Sequence, residues 1–185
     1  MPIDTLDPRP ALLIVDLQRG TLGNPLVHPA AQIVTRASEL LAAFRARELP
    51  VVFATVDGTP GGRNDYGGIA RQYPPEFAEQ APELAPRADE LVITRATWSA
   101  FTGTELAEHL ASRGVTQLVI AGLATSFGVE STARQAYDLG LHVVLAVDAM
   151  SDMRAEAHEN SVGRIFPLIG QTGTTAEIVA LVLRG

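Results

Sequence analysis

Three places in this 185-residue chain carry residue types suited to chemistry, and each follows an apolar run. The first is Asp16, which ends the run Ala11-Leu-Leu-Ile-Val-Asp16. A carboxylate leaving an apolar strand sits partly away from water, and this raises its pKa toward acid or base work. The same position equally suits a side chain that caps a turn by accepting backbone N–H groups. The second is Arg95, which closes Leu91-Val-Ile-Thr94 and precedes Ala-Thr-Trp98-Ser-Ala-Phe101. An arginine there can fix an anionic substrate or hold Asp16 ionised. A surface arginine with a snorkelling stem is the alternative. The third is the turn Gly122-Leu-Ala124-Thr125-Ser126-Phe127-Gly128 between a strand and a helix. Backbone N–H groups at such a helix start form an anion or oxyanion site, and Gly128 would let a ligand approach the backbone closely. The turn also reads as a plain helix start with Thr125 or Ser126 as N-cap and Glu130 near the positive end of the dipole.

Missing residue types narrow the chemistry. There is no cysteine, so disulfides, thiolate metal sites and cysteine nucleophiles are excluded. There is no lysine either: all 14 cations are arginine, which removes Schiff-base and lysine-base chemistry. His28, His109, His142 and His158 lack metal-ligand spacing and read as ordinary surface or helix residues. The glycines of Gly58-Thr-Pro-Gly-Gly-Arg-Asn-Asp-Tyr-Gly-Gly68 do not follow a strand and open a helix as a phosphate loop does. Ser126 and Ser131 are not framed as a nucleophile elbow.

The elements that must position these groups alternate along the chain. Ala11–Asp16, Val51–Val56, Leu91–Thr94, Leu118–Ala121 and Val143–Val147 are β-branched, apolar runs suited to strands buried on both faces of a parallel sheet. Between them, Ala31–Arg47 puts Ile33, Val34, Ala37, Leu40, Leu41 and Phe44 on one helical face. Thr102–Arg113 opens with a capping-box pattern, Thr102 to Glu105, and closes at Gly114. Thr125–Leu139 closes at Gly140, a further helix runs from near Asp152 to about Phe166, and a last one starts at a second capping box, Thr174 to Glu177. This series predicts a three-layer α/β/α domain spanning residues 1–185. Asp57–Asp89, rich in glycine and proline, breaks the rhythm and reads as a lid or binding loop.

Composition sets the outer bounds. A net charge of −7 argues against a nucleic-acid surface, and no apolar stretch is long enough to span a membrane. The acidic, proline-rich N-terminus resembles neither a signal nor a transit peptide, so a cytoplasmic protein acting on a small molecule is the expectation.

Four segments in order, 11–18 (ALLIVDLQ), 92–106 (VITRATWSAFTGTEL), 122–140 (GLATSFGVESTARQAYDLG) and 143–152 (VVLAVDAMSD), resemble the isochorismatase-like hydrolase superfamily. Its relatives include nicotinamidases and N-carbamoylsarcosine amidohydrolases. The resemblance implies a Rossmann-like α/β/α fold with a six-stranded parallel sheet, and a homodimer or higher homo-oligomer. The amidases of that superfamily use an Asp–Lys–Cys triad; this sequence keeps the aspartate as Asp16, has Arg95 at the lysine position and Gly128 at the cysteine position. The resemblance further implies a cis Leu123–Ala124 peptide that turns the Ala124 N–H toward that of Gly128. Metal-binding relatives carry an Asp-x-His motif where Asp57-Gly-Thr stands here, so neither metal nor other cofactor is implied.

Isochorismatases share the glycine and are similar to aspartate-dependent vinyl-ether hydrolases, although they usually keep the lysine and have tyrosine where Ala124 stands. What the resemblance implies is therefore hydrolysis of a small, anionic substrate without a covalent intermediate. Asp16 is general acid or base, Arg95 the electrostatic partner, and Ala124 and Gly128 the anion cradle, with Thr125 beside them. Trp98, Phe101 and Phe127 make apolar walls, and Gln18 with Arg63 or Arg71 makes polar contacts. Two alternatives stand: amide or carbamoyl hydrolysis by water activated at Asp16, and a catalytically silent relative that only binds its ligand.

Overall fold

The computed structural model describes residues 3–185. Strand β1 (Pro10–Val15) is buried at every position, as a central strand covered on both faces must be. It pairs in parallel with β2 (Val51–Val56) and with β6 (Gln117–Leu123). Strand β5 (Leu91–Arg95) lies outside β2, while β7 (His142–Ser151) and β8 (Gln171–Gly173) extend the other side. The order is β5-β2-β1-β6-β7-β8, all parallel.

Side-chain alternation along β1 divides the core. Leu12 and Ile14 point to the layer of α2 (Ala30–Ala46) and α7 (Thr175–Val182), with Phe44, Leu40, Val119 and Ile178. Ala11, Leu13 and Val15 point to the layer of α3 (Leu106–Ser112), α4 (Glu130–Asp138) and α6 (Phe166–Ile169), with Leu106, Ala133 and Phe166. The helix α2 buries Ile33, Val34, Ala37, Leu40, Leu41 and Phe44, the face its spacing predicts. Among the described residues no helix is long and apolar enough to cross a membrane.

Five strands follow the apolar runs. The sixth, β8, is Gln-Thr-Gly and has no run of its own; it forms because the edge of β7 offers unpaired ladder groups. The capping box Thr174–Glu177 is present with both reciprocal bonds. The one read at Thr102–Glu105 is not: α3 starts later with Glu105 as its uncapped N-cap, Thr102 Oγ1 donates to Gln135 Oε1, and Thr104 Oγ1 donates to the Ala100 carbonyl. For Thr102, the expected cap, a tertiary partner outcompeted the local one. The helix read from Asp152 to Phe166 is α5 (Ala155–Asn160), a π-turn at Ser161–Ile165, and α6. The long segment 57–89 holds a short hairpin, β3 (Gly58–Thr59) with β4 (Arg71–Gln72), and two 3₁₀ turns at Pro75–Ala78 and Pro82–Leu84. The four-residue helix α1 (Arg19–Leu22) follows β1 directly.

One position sets how closely β1 and β6 approach at their carboxyl ends. Gly122 has φ +132°, and a Cβ there would lie 1.9 Å from the Val15 carbonyl oxygen. Gly122→Ala should therefore cost about 3 kcal/mol through strain and forced separation of the two strands. Urea unfolding measures this, and a change under 1 kcal/mol would show that the strands accommodate a methyl.

Candidate active site

The carboxyl ends of β1, β2, β5 and β6 surround a cavity of about 280 Å³. Its lining includes Asp16, Thr21, Tyr73, Phe77, Trp98, Ala124, Phe127, Gly128 and Met153. Asp16 is the first residue past β1 and adopts φ +50°, a left-handed conformation that aspartate tolerates better than branched residues. Its N–H donates to the Ala54 carbonyl at 2.8 Å, and its own carbonyl accepts from Thr21 Oγ1.

Arg95, the last residue of β5, reaches across the end of β2 to meet it. Arg95 Nη1 donates to Asp16 Oδ1 at 2.5 Å and Nη2 to Oδ2 at 3.0 Å. The two side chains are 2% and 8% exposed, so this is a buried, forked ion pair. Nη2 also donates to the Trp98 carbonyl at 3.0 Å, while Nε is buried with no partner among the described residues. Burial pushes the Asp16 carboxyl above the ordinary carboxylate range, and the Arg95 charge and hydrogen bonds act against that rise.

The turn after β6 carries Gly128. The Leu123–Ala124 peptide is cis, and the chain then winds through a π-turn, Thr125–Val129, into α4. A Cβ on Gly128 would lie 3.0 Å from Asp16 Oδ2 and 3.0 Å from the Leu123 carbonyl, so the backbone itself fills the place beside the carboxylate. Neither Thr125 nor Ser126 caps the helix; Ala124 is the N-cap and makes no side-chain bond. Instead the turn is held from outside. Buried Asp152 accepts from Ser126 N and Ser126 Oγ, each at 2.8 Å, and from Met153 N at 2.8 Å. Thr125 Oγ1 meets His158 Nδ1 at 2.9 Å, and the His158 ring packs edge-on against His28 at 4.8 Å. Burial, and then the neighbouring His28, push His158 below the usual imidazole value, against the pull of Asp152 and Glu159. His28 and His158, which the sequence reads as ordinary surface or helix residues, are half-buried; His158 lies on α5 and braces the turn through Thr125.

The structure thus brings Asp16, Arg95, Trp98, Ala124, Phe127 and Gly128 to one place. Five further sequence candidates sit elsewhere. Gln18 is buried beneath the cavity wall, where Nε2 donates to the carbonyls of Val56 and Phe77 and Oε1 accepts from Val56 N, tying the end of β2 to the 3₁₀ turn. Phe101 lies in the α3–α4 core and Thr125 is wholly buried against His158. Arg63 and Arg71 are exposed on the long loop and do not line the cavity. Sequence reasoning passed over Tyr73 and Phe77, which stack at 4.2 Å, and over Asn24, Leu26 and Met153. Phe77 lies in the short 3₁₀ turn Pro75–Ala78 and the other four on loops, where no periodicity marks the inward side. Trp98 and Phe127 form a second aromatic pair, edge-to-face at 5.0 Å.

A larger groove of about 870 Å³ between α2 and residues 79–83 holds no comparable chemistry; its arginine, Arg19, is exposed and faces Glu79. Removing one member of the buried pair should be costly. Arg95→Met leaves an unpaired carboxylate at the cavity floor and should destabilise the fold by about 3–5 kcal/mol near neutral pH. A carboxyl whose folded pKa lies above its unfolded value loses stability as pH rises between the two. The deficit should therefore shrink as the pH falls and Asp16 is protonated. Thermal unfolding across pH checks this, and a deficit independent of pH would show that the lost contacts, not the stranded charge, dominate.

The isochorismatase domain model matches residues 10–177, nearly the whole sheet and its helices. The isochorismatase family protein YecD of Escherichia coli O157:H7 is 38% identical over 182 residues, covering 91% of this chain and 94% of its own length. Maleamate amidohydrolase of Pseudomonas putida is 32% identical over 162 residues, covering 82% and 76%. The solved structure of an isochorismatase family protein from Burkholderia thailandensis superposes with a TM-score of 0.93 at 37% identity, covering 97% of this chain and 98% of that one. With its sheet order, its Asp16 at the first strand end and a domain match across that whole span, this chain belongs to the isochorismatase family.

Proposed function

We propose that this family hydrolase acts without a covalent enzyme intermediate, by proton transfer from Asp16 to the carbon of an enol ether. The observation that carries the reading is the cavity lining: it has one carboxyl, pushed upward by burial, and no cysteine, histidine or lysine beside it. Where a thiol would form an acyl-enzyme, Gly128 supplies only backbone.

In this reaction the Asp16 proton goes to the terminal carbon of C=C–O–R, and the π pair forms the new C–H bond. The resulting oxocarbenium ion is captured by water at the oxygen-bearing carbon. The hemiacetal then breaks its C–O bond, releasing R–OH and a carbonyl compound, and the proton lost by water restores Asp16. Arg95 stays charged throughout and stabilises Asp16 once it has given up its proton. The Ala124 and Gly128 N–H groups would hold the ether oxygen. A second reading, amide hydrolysis by water activated at Asp16, is supported by the 32% identity to maleamate amidohydrolase; ammonia release from a panel of amides and carbamoyl compounds distinguishes it.

Purified protein should release acetaldehyde and phenol from phenyl vinyl ether. Asp16→Asn should lower kcat by about 10²–10⁴-fold with little change in KM. Since the acid form does the work, kcat should fall as pH rises through the Asp16 titration. In Arg95→Met that fall should move to higher pH, because the guanidinium no longer favours the ionised form. Turnover that survives Asp16→Asn unchanged would remove Asp16 from the mechanism.

A further inference from the structure

Charge in and around the cavity bears on what it can hold. Apart from Asp16, the residues lining it are neutral: Thr21, Asn24, Thr59 and Thr97 are polar without charge, and most of the remainder are apolar, with Tyr73, Phe77, Trp98, Phe127 and Met153 the largest. At about 280 Å³ it is at or below the small end of ligand sites, enough for one ring and a short substituent. The cation nearest the carboxylate, Arg95, lies behind Asp16. Both of its terminal nitrogens are committed, Nη1 to Asp16 and Nη2 to Asp16 and the Trp98 carbonyl, and its side chain is 2% exposed.

The start of α4 suits a neutral acceptor better than an anion. Asp152 already places a carboxylate on Ser126, and Asp16 Oδ2 lies 3.0 Å from where a Gly128 side chain would begin, so the Ala124 and Gly128 N–H groups lie between two carboxylates. A ligand carboxylate placed here would give up its water and gain no cationic hydrogen-bond partner. With Asp16 ionised it would also face a like charge.

We propose that the cavity selects a small, uncharged, unsaturated ring compound and rejects carboxylates, in contrast to the anionic substrate that the sequence suggested. This rests on the Asp16 cavity being the reaction site, but its test does not need turnover. Trp98 is the chain's only tryptophan and forms part of the wall, so its fluorescence reports occupancy directly.

Benzamide and benzoate differ little in shape and by one charge. Titrated at a pH above the Asp16 titration, benzamide should bind at least about tenfold more tightly. Met153→Arg places a cation on an exposed part of the wall without disturbing the core. It should raise benzoate affinity at least about tenfold while leaving benzamide within about threefold. Equal or tighter binding of benzoate by the wild-type protein would overturn the proposal, as would no fluorescence response to either compound. Benzamide preference without enol-ether turnover dismisses the proposed reaction and leaves the ligand class standing. Asp16-dependent turnover of isochorismate together with benzoate preference does the reverse.

Discussion

The buried pair between Asp16 and Arg95 constrains everything around it. The two residues are 79 positions apart in sequence, one just past the end of β1 and the other at the end of β5, with β2 between. They meet only if β1, β2 and β5 keep their parallel register, with Val15 beside Ala54 and Val56 beside Arg95. A charge buried without its partner is expensive, so the pair is a condition the sheet must satisfy and not an addition to it. It also sets the chemistry. The carboxylate faces the cavity, the cation lies behind it, and burial and charge pull the aspartate's proton affinity in opposite directions.

The rest of the site is assembled by braces that do not touch the cavity's contents. Gln18 uses both ends of its amide to join the end of β2 to the turn that carries Phe77. Asp152 holds the turn that carries Ala124, Phe127 and Gly128, and His158 with Thr125 secures the same turn from its other side. Loops with few apolar contacts are mobile by default, and these polar anchors tie the wall to the sheet at places where no core packing reaches. The glycines at 122 and 128 act in the opposite sense. By lacking side chains they let β1 approach β6 and let the backbone approach the carboxylate.

Much of this was legible in the chain. Apolar runs located five strands, helical spacing gave the buried face of α2, and the strand-end positions of Asp16 and Arg95 marked them as candidates, because a parallel sheet collects its strand ends on one side. The resemblance to isochorismatase-like hydrolases supplied the sixth strand, which three polar or small residues could not announce. Local signals failed where tertiary partners competed: Thr102 was drawn to Gln135 and Ser126 to Asp152.

By itself, then, the sequence determined the layered fold and marked Asp16 as the candidate carboxyl at a strand end, since both depend on residue type and on periodicity that repeats along the chain. It also determined that no thiol or amine nucleophile is present. Only the tertiary structure decided that Arg95 is spent on Asp16, that Arg63 and Arg71 stand outside the cavity, and that Tyr73 and Phe77 form its wall. The physical reason is that side-chain direction on an irregular loop follows from distant hydrogen bonds and packing, neither of which leaves a period in the sequence.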